Sequence, residues 1–313
     1  MIEIRRYTAE KADEWNQFVA MSKNGTFLFY RGYMDYHADR FDDYSLMFYE
    51  NGKLSALLPA NRQNDVLYSH QGLTYGGLIT TSENTTAKVC QLFAELNALL
   101  RDNGIRHVIY KPVPSVYHQL PAEEDLYALF VTCHAQLLGR DVSSVILPAN
   151  LIKWKRDRHY AANKARTNGI LISQSNDFAS FWQILSNNLK QKFGASPVHS
   201  LYEIELLHSR FPENICLWVA YSKEGELLAG TVLYLCGDVV RSQYISASPD
   251  GKRLHAVDGL YDHIIHHAYP DARYIDLGTS NMPHSSDLHD SLIYQKEGFG
   301  ARAVCFDTYE WTL

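Results

Sequence analysis

Cysteine is scarce and unpatterned in this sequence of 313 residues. The five cysteines are an odd number, lie far apart and form no C-x-x-C pair. Disulfide frameworks and structural zinc sites both need closely spaced cysteines, so neither is expected to organise the fold. Free thiols are typical of a reducing compartment, and we therefore expect a cytoplasmic protein.

Long apolar runs are missing as well. The N-terminal stretch M-I-E-I-R-R-Y contains no apolar signal core. No apolar run approaches the roughly 20 residues that a bilayer-spanning helix requires. We therefore expect no membrane span.

The chain also lacks an excess of positive charge. Its net charge is −6 with the histidines counted as neutral, so the whole chain has no electrostatic attraction to nucleic acid, and we expect no DNA partner. Positive charge is concentrated at 152–166, which has six Lys or Arg residues and one acidic residue. Its alanines and the following Asn168-Gly169 predict a helix, which either connects domains in solvent or contacts phosphate.

Established metal and hydrolase motifs are absent. His263 and His267 are one helical turn apart but lack the intervening glutamate of a zinc protease. A loop with His284, Asp287 and His289 has no recognised ligand spacing. No G-x-S-x-G elbow accompanies the serines and histidines. We therefore expect no metal.

One order of elements occurs twice in the sequence. Hairpin turns at Asn51-Gly52 and Glu224-Gly225 are each followed, at similar offsets, by a helix and a buried strand. This order is also common in α/β proteins generally, but its repetition favours an internal duplication. We predict an α/β (α+β) fold of two tandem domains, 1–150 and 151–313, each a mixed sheet flanked by helices.

The second copy ends in a stretch suited to chemistry. Buried strand residues lead to the polar tip Ser280-Asn281, and Lys296 precedes a Gly-Phe-Gly turn. Ligands of α/β sheets usually bind at such strand tips, so Ser280 and Asn281 are candidate substrate-binding residues. Asp276, inside the strand, is a candidate base, or else pairs with a neighbouring side chain.

Four pieces of the chain stand out in their order. They are Tyr75-Gly76-Gly77-Leu78, the basic helix with Arg158 and Asn163-Lys164-Ala165, the segments 227–230 and 244–248, and Ile275-Asp276-Leu277-Gly278 with the later 296–301. In this order they resemble the FemAB-like tandem GNAT proteins, which include peptidoglycan bridge-forming aminoacyltransferases. The resemblance runs over most of the chain. It implies two tandem GNAT-like domains.

The resemblance also implies a donor site. GNAT enzymes transfer an acyl group from a thioester, usually of coenzyme A, and hold its pyrophosphate on backbone N–H groups of a Gly-rich turn before a helix. The equivalent turn here is 248–254, which has a single glycine and also fits an ordinary solvated type I turn. The implied donor-binding residues are Ser246, Ala247, Gly251, Lys252 and Arg253.

Acyl transfer further needs a base and donors to the tetrahedral oxyanion. The resemblance places Lys296 at the catalytic cleft, as a donor to the oxyanion or to a substrate phosphate. Tyr294 is a candidate proton donor, with packing as its alternative role. Tyr75 and Gly76 of the first domain are expected to form the wall around the acceptor.

Together these features predict an N-acyltransferase that uses acyl-CoA as co-substrate. Its acceptor would be a small-molecule amine: an amino sugar, an amino acid or a precursor of cell wall or polysaccharide. Aminoacyl-tRNA is the second choice of donor, because the long charged helical hairpin of FemA-like enzymes is missing and Gln295 replaces a frequent aromatic residue. The other alternative is a non-catalytic binding module for a nucleotide-linked ligand.

Overall fold

A computed structural model describes residues 2–282 and 285–313. The chain forms two compact units, Met1–Asp141 with Cys305–Leu313, and Val142–Val304. The limits predicted from the sequence, 1–150 and 151–313, differ from these units in two places. The first unit ends within a strand, and the C-terminal residues return to the first unit.

The described residues contain fifteen strands and ten α-helices. The strands are β1 Ile2–Arg6, β2 Asp42–Asp43, β3 Leu46–Glu50, β4 Lys53–Leu58, β5 Asn61–Gln63, β6 Val66–Tyr68, β7 Ile79–Thr80, β8 His107–Tyr110, β9 Gln136–Ile146, β10 Leu171–Ser175, β11 Ile215–Tyr221, β12 Leu227–Cys236, β13 Val239–Ala247, β14 Tyr274–Thr279 and β15 Arg302–Thr312. The helices are α1 Ala12–Met21, α2 Arg31–Met34, α3 Thr86–Asp102, α4 Glu124–Val131, α5 Arg156–Thr167, α6 Phe178–Phe193, α7 Leu201–Arg210, α8 Pro249–Arg253, α9 Ala256–His263 and α10 Asp290–Gly298. None of the helices in the described ranges is both long and apolar enough to cross a lipid bilayer.

The first unit contains two sheets. One has the order β1-β3-β4-β7, and the other runs from β15 through β8, β6 and β5 to β2. The predicted hairpin is confirmed, because β3 and β4 pair around Asn51 and Gly52, whose φ angles are 50° and 82°. Two positive φ angles are what a two-residue type I′ turn requires. Side chains of α3 cover the apolar core, including Leu92, Phe93 and Leu96.

The second unit is built on a mixed sheet with the order β10-β11-β12-β13-β14, extended by the 142–146 end of β9. Neighbouring residues of β13 point to opposite faces of this sheet. Tyr244 contacts Trp182 of α6, whereas Ile245 packs in the core that contains Leu260 of α9. Helices therefore flank both faces, as predicted for each domain.

Three predicted elements differ from the structure. The basic helix begins at Arg156 rather than at 152, since Trp154 is buried and the Lys155 N–H donates to the Gly298 carbonyl at 2.9 Å. The predicted turn 248–254 contains the short helix α8, which Ser248 caps. The longer helix that the sequence predicts between the second hairpin and its buried strand is α-helical only over Ala256–His263 and continues as a π-helical turn over Ile264–Ala268.

A buried acid in the first unit makes stability depend on pH. Asp125 accepts a hydrogen bond from the Tyr110 hydroxyl at 2.6 Å, and burial raises the pKa of its carboxyl to about 6. In the unfolded chain, the Asp125 carboxyl has its ordinary low pKa. As pH rises, it therefore loses its proton at a lower pH in the unfolded chain than in the folded protein. The contribution of Asp125 to the unfolding free energy is therefore fully present below about pH 4 and is lost as pH rises through about 6.

We predict that Asp125→Asn flattens the pH dependence of the unfolding free energy between about pH 4 and pH 6. Urea denaturation at several pH values measures it. Asp102→Asn, at the exposed end of α3, is the matched control and should leave the slope unchanged. Equal slopes in the wild type and Asp125→Asn would contradict the prediction.

Candidate active site

The central feature of the second unit is a fork between two parallel strands. β13 and β14 pair only over three residues, from Val239 opposite Tyr274 to Arg241 opposite Asp276. Beyond Arg241, β13 continues to Ala247 without a β14 partner among the described residues. The sheet is therefore open along one edge of β13.

A bulge follows the last pair on each side of the fork. On β13, Gln243 is the extra residue, because Val232 and Leu233 of β12 face Tyr244 and Ser242. On β14, the register against β9 shifts between Asp276 and Thr279, where Gly278 has a φ of +81°. Bulges bend a strand and increase its twist, which accounts for the divergence.

A buried ion pair joins the two strands where they diverge. The Arg241 guanidinium donates to one oxygen of Asp276 at 2.5 Å, and neither side chain is more than 8% exposed. The other oxygen accepts from the Ser143 hydroxyl of β9 and from the Gly278 N–H at 2.8 Å. Asp276 thus connects three strands, and both of its oxygens are engaged. Its assignment as a base stays a prediction.

Lys296 of α10 lies beside the bulge of β14. Its ammonium group donates to the carbonyls of Gly278 at 2.8 Å and Thr279 at 2.7 Å. The pKa of Lys296 is lowered to about 8, mainly by burial; the charge of Asp276 opposes this shift and that of Arg241 adds to it. Two of the three ammonium hydrogens are used in these bonds. Lys296 is 8% exposed and lines neither of the two cavities described below, so its catalytic role stays a prediction.

A cavity of about 460 Å³ opens at the end of β13. Most of its walls come from α6, the last three residues of β13, and α10. The residues that line it are Leu185, Asn188, Leu189, Lys192, Phe193, Ile245, Ser246, Ala247, Lys252, Val257, His289, Ser291, Leu292 and Gln295. Ile245 and Ser246 lie on opposite faces of the sheet, so one cavity can contact both only because the edge of β13 is uncovered. The fork therefore makes this cavity.

Asn188 organises the floor of this cavity. Its amide nitrogen donates to the Ser246 hydroxyl at 2.7 Å and to the Ala247 carbonyl at 2.8 Å, and its oxygen accepts from Lys252 at 3.0 Å. Three predicted donor-binding residues are thus brought together by a residue that the sequence analysis missed. The available signal was a polar residue three positions after Leu185, on the apolar face of a helix.

A second cavity, of about 370 Å³, shares Lys252, Val257, Ser291 and Gln295 with the first. It adds Arg158 of α5, His255 and Asp258, and Arg158 donates to Asp258 at 2.6 Å. Burial raises the pKa of Asp258, although the charge of Arg158 opposes that shift. The two cavities form one elongated, mainly cationic groove.

Gly251 lines the second cavity but is required by packing. A Cβ atom at this position would lie 2.0 Å from the Leu228 carbonyl oxygen. The Gly251 N–H donates to the Ser248 hydroxyl at 3.0 Å, and the Lys252 N–H to the Ser248 carbonyl at 3.0 Å. These N–H groups are engaged within the turn, so phosphate binding by Gly251 stays a prediction. Arg253 lines neither cavity and pairs with Asp250 at the surface.

The remaining candidates of the second unit have varied surroundings. Tyr294 is 53% exposed, lines the second cavity and has the Lys155 ammonium over its ring. The Ser280 hydroxyl is fully buried and has no hydrogen-bond partner in the described structure. Asn281 accepts from the Val142 N–H and donates to the Ser286 carbonyl, so its amide braces the loop. His284 lies outside the described residues.

Tyr75 and Gly76 belong to the first unit. Tyr75 is 1% exposed, with its ring packed against Tyr117 at 4.7 Å between centroids. A Cβ atom on Gly76 would lie 1.7 Å from the Ser69 carbonyl oxygen, so close backbone packing requires glycine there. Substrate binding by these two residues stays a prediction.

Comparisons with known proteins agree with this architecture. Residues 153–286 match the family described as an acetyltransferase (GNAT) domain. No curated protein matches the sequence. The solved structure of FemX is similar over 99% of this chain and 97% of its own, with a TM-score of 0.71 and 10% identity.

Two further solved structures share the fold. L-PGS from Bacillus licheniformis has a TM-score of 0.60 at 12% identity, covering 98% of this chain and 92% of its own. A tandem GNAT protein from the clavulanic acid biosynthesis pathway has a TM-score of 0.53 at 10% identity, covering 100% and 98%. The predicted FemAB-like tandem GNAT fold is confirmed, and the domain match supports the predicted enzyme class, an acyltransferase.

We predict that Asp276→Ala lowers the unfolding free energy by about 3–5 kcal/mol, because it leaves the buried Arg241 charge without its partner. Urea denaturation measures the loss. Asp250→Ala removes the carboxylate of an exposed pair and should cost less than about 1 kcal/mol. Equal losses in the two variants would show that the pair at the fork does not hold the strands.

Proposed function

We propose that this protein is a cytoplasmic N-acyltransferase that uses acyl-CoA as donor. The acceptor is an amine of an amino sugar, an amino acid or a precursor of cell wall or polysaccharide. The observation that carries this proposal is the fork of β13 and β14, which opens onto the groove. The five free cysteines fit a reducing compartment.

The open edge of β13 suits the amide-bearing arm of coenzyme A. Ser248 donates its N–H to the Leu228 carbonyl of β12 at 2.8 Å, and hydrogen bonds alternate along an antiparallel pair. The backbone groups of Ile245 and Ala247 therefore face the fork. The Ala247 carbonyl already accepts from Asn188. The Ala247 N–H and the backbone N–H and C=O of Ile245 are therefore the groups that would bind an extended ligand as an added strand does. Apolar side chains of α6 and α10, such as Leu189 and Leu292, line the same cavity.

The phosphates of the donor would lie toward the second cavity. Lys252, Arg158 and His255 surround this space, and Asp258, its acidic residue, is paired with Arg158. Arg158 is the member of the basic helix with a defined place in the groove. This arrangement favours a phosphate-contacting role for Arg158 over simple solvation.

In the reaction, the acceptor nitrogen attacks the thioester carbonyl, and the tetrahedral intermediate collapses with cleavage of the carbon–sulfur bond. The amide forms and the coenzyme A thiolate leaves, to be protonated. Negative charge develops first on the carbonyl oxygen and then on sulfur, so a fixed cation beside the fork lowers the barrier. Lys296 is the cation that the bulge of β14 holds there.

The donor has one alternative, aminoacyl-tRNA. The likeness to FemX over nearly the whole of both chains favours it, since the FemAB-like group includes aminoacyltransferases. The tandem GNAT protein of the clavulanic acid pathway, whose printed description mentions AcCoA, favours the thioester. The open edge at the fork and the cationic side chains of the second cavity suit the amide arm and the phosphates of a thioester donor, and we therefore place acyl-CoA first.

We predict that Lys296→Ala lowers kcat at least about 100-fold with acetyl-CoA as donor, the loss typical of one oxyanion donor. A thiol reagent that detects released coenzyme A measures turnover against a panel of amino sugars and amino acids. Because the pKa of Lys296 is about 8 and the charged form is needed, wild-type activity should fall as pH rises through 8. Lys296→Arg should retain charge and move that alkaline limb upward.

Lys53→Ala is the control, since this lysine is 74% exposed and pairs with Glu83 in the first unit. Undiminished turnover by Lys296→Ala would remove Lys296 from the chemistry. Wild-type protein that releases no coenzyme A from any pair, but transfers an aminoacyl group from charged tRNA, would replace the donor. Binding without transfer from either donor would favour a non-catalytic binding module.

A further inference from the structure

Few of the side chains that line the 460 Å³ cavity can act as a base. Among the described residues that line it, none is Asp or Glu. Its ionisable side chains are Lys192 of α6, Lys252 of α8 and His289, which directly precedes α10. A lysine ammonium has three hydrogen-bond donors and no acceptor, so neither lysine suits the role of a base. Within the described part of the chain, His289 is therefore the side chain of this cavity that suits removal of a proton from an acceptor. His255 lines only the second cavity.

His289 is held in place from two directions. Its backbone N–H donates to the Ser280 carbonyl at 2.8 Å, just past the end of β14. Its Nδ1 atom lies 3.2 Å from the Ser291 hydroxyl, which also lines the cavity. When Nδ1 carries the proton and donates it to Ser291, Nε2 has a free lone pair, the form that a general base requires.

We propose that His289 is the general base that takes the proton from the acceptor nitrogen, and that Ser291 fixes its tautomer. This inference rests on the proposed function. As the nitrogen–carbon bond forms, the proton passes from nitrogen to Nε2. As the carbon–sulfur bond breaks, the same proton passes to the departing thiolate, so histidine is regenerated and coenzyme A leaves as the thiol.

Two carboxylates near the groove, those of Asp276 and Asp258, are already bound by other residues of the chain. Asp276 is fully buried, and its oxygens are bound by Arg241, Ser143 and the Gly278 N–H. Asp258 lies in the second cavity and is bound by Arg158 at 2.6 Å. The assignment therefore moves the base from the strand interior to the start of α10.

The test compares His289→Gln with the wild type in the coenzyme A release assay, across pH 5.5–8.5. A second assay measures the slow hydrolysis of acetyl-CoA, in which water replaces the amine. It reports on the same base, because attack by water also requires removal of a proton. We expect His289→Gln to lower kcat about 100- to 1,000-fold in both assays and to abolish the acidic limb of the pH profile. Ser291→Ala should lower kcat less and shift that limb.

Three controls separate this role from general damage. His107 is an exposed histidine of the first unit, and its Nδ1 lies 3.3 Å from the Thr312 hydroxyl. His107→Gln should change neither kcat nor the pH profile. Lys192→Met and Lys252→Met should keep the acidic limb while raising KM. Added imidazole should restore part of the activity of His289→Ala, which a purely structural role would not allow.

The outcomes are distinct. Wild-type-like kcat and an intact acidic limb in His289→Gln would overturn the assignment and leave the proposed function standing. Loss of that limb in Asp258→Asn, but not in His289→Gln, would move the base to Asp258. Absence of coenzyme A release by the wild type in both assays would instead refute the proposed function, and the His289 assignment with it.

Discussion

The pair of Arg241 and Asp276 is the interaction on which the candidate site depends. It lies at the last parallel pair of β13 and β14, in a position where neither charge reaches bulk water. A buried pair of this kind adds little net stability compared with apolar residues, but losing one partner is costly. Here the carboxylate also binds Ser143 and the Gly278 N–H, so it sets both the point of divergence and the bulge that presents two carbonyls to Lys296.

A short parallel strand pair occurs in both units, but its strands separate only in the second unit. In the first unit, β6 and β8 form the corresponding parallel pair, from Val66 opposite His107 to Tyr68 opposite Ile109. Beyond it, the Ser69 N–H donates to the Ile109 carbonyl and the Ser69 hydroxyl accepts from the Lys111 N–H. These bonds keep the strands together where β13 and β14 separate. The duplicated fold thus has one closed copy and one open copy, which is why we place donor binding in the second.

Local features were predictable from the sequence, and long-range ones were not. The Asn51-Gly52 turn follows from the φ angles that those two residues tolerate, and the apolar periodicity of α3 and α6 is equally local. Lys296 became a candidate because a lysine precedes a distinctive glycine turn, and its role stays a prediction. The fork was not predictable from local sequence, because it depends on which residues of β13 and β14 pair across a long helical connection. Asn188, Arg158 and His289 join the groove through that tertiary arrangement, and Gly251 proved to be needed for packing against Leu228.

Binding of the thioester donor at the fork can be measured by backbone NMR of the isotopically labelled protein. Titration with acetyl-CoA should shift the amide signals of Ile245 and Ala247 at the open edge of β13. It should leave those of Ser69 and Lys111, at the closed pair of the first unit, unchanged. Shifts confined to Ser69 and Lys111, or no shifts at millimolar acetyl-CoA, would contradict donor binding at the fork.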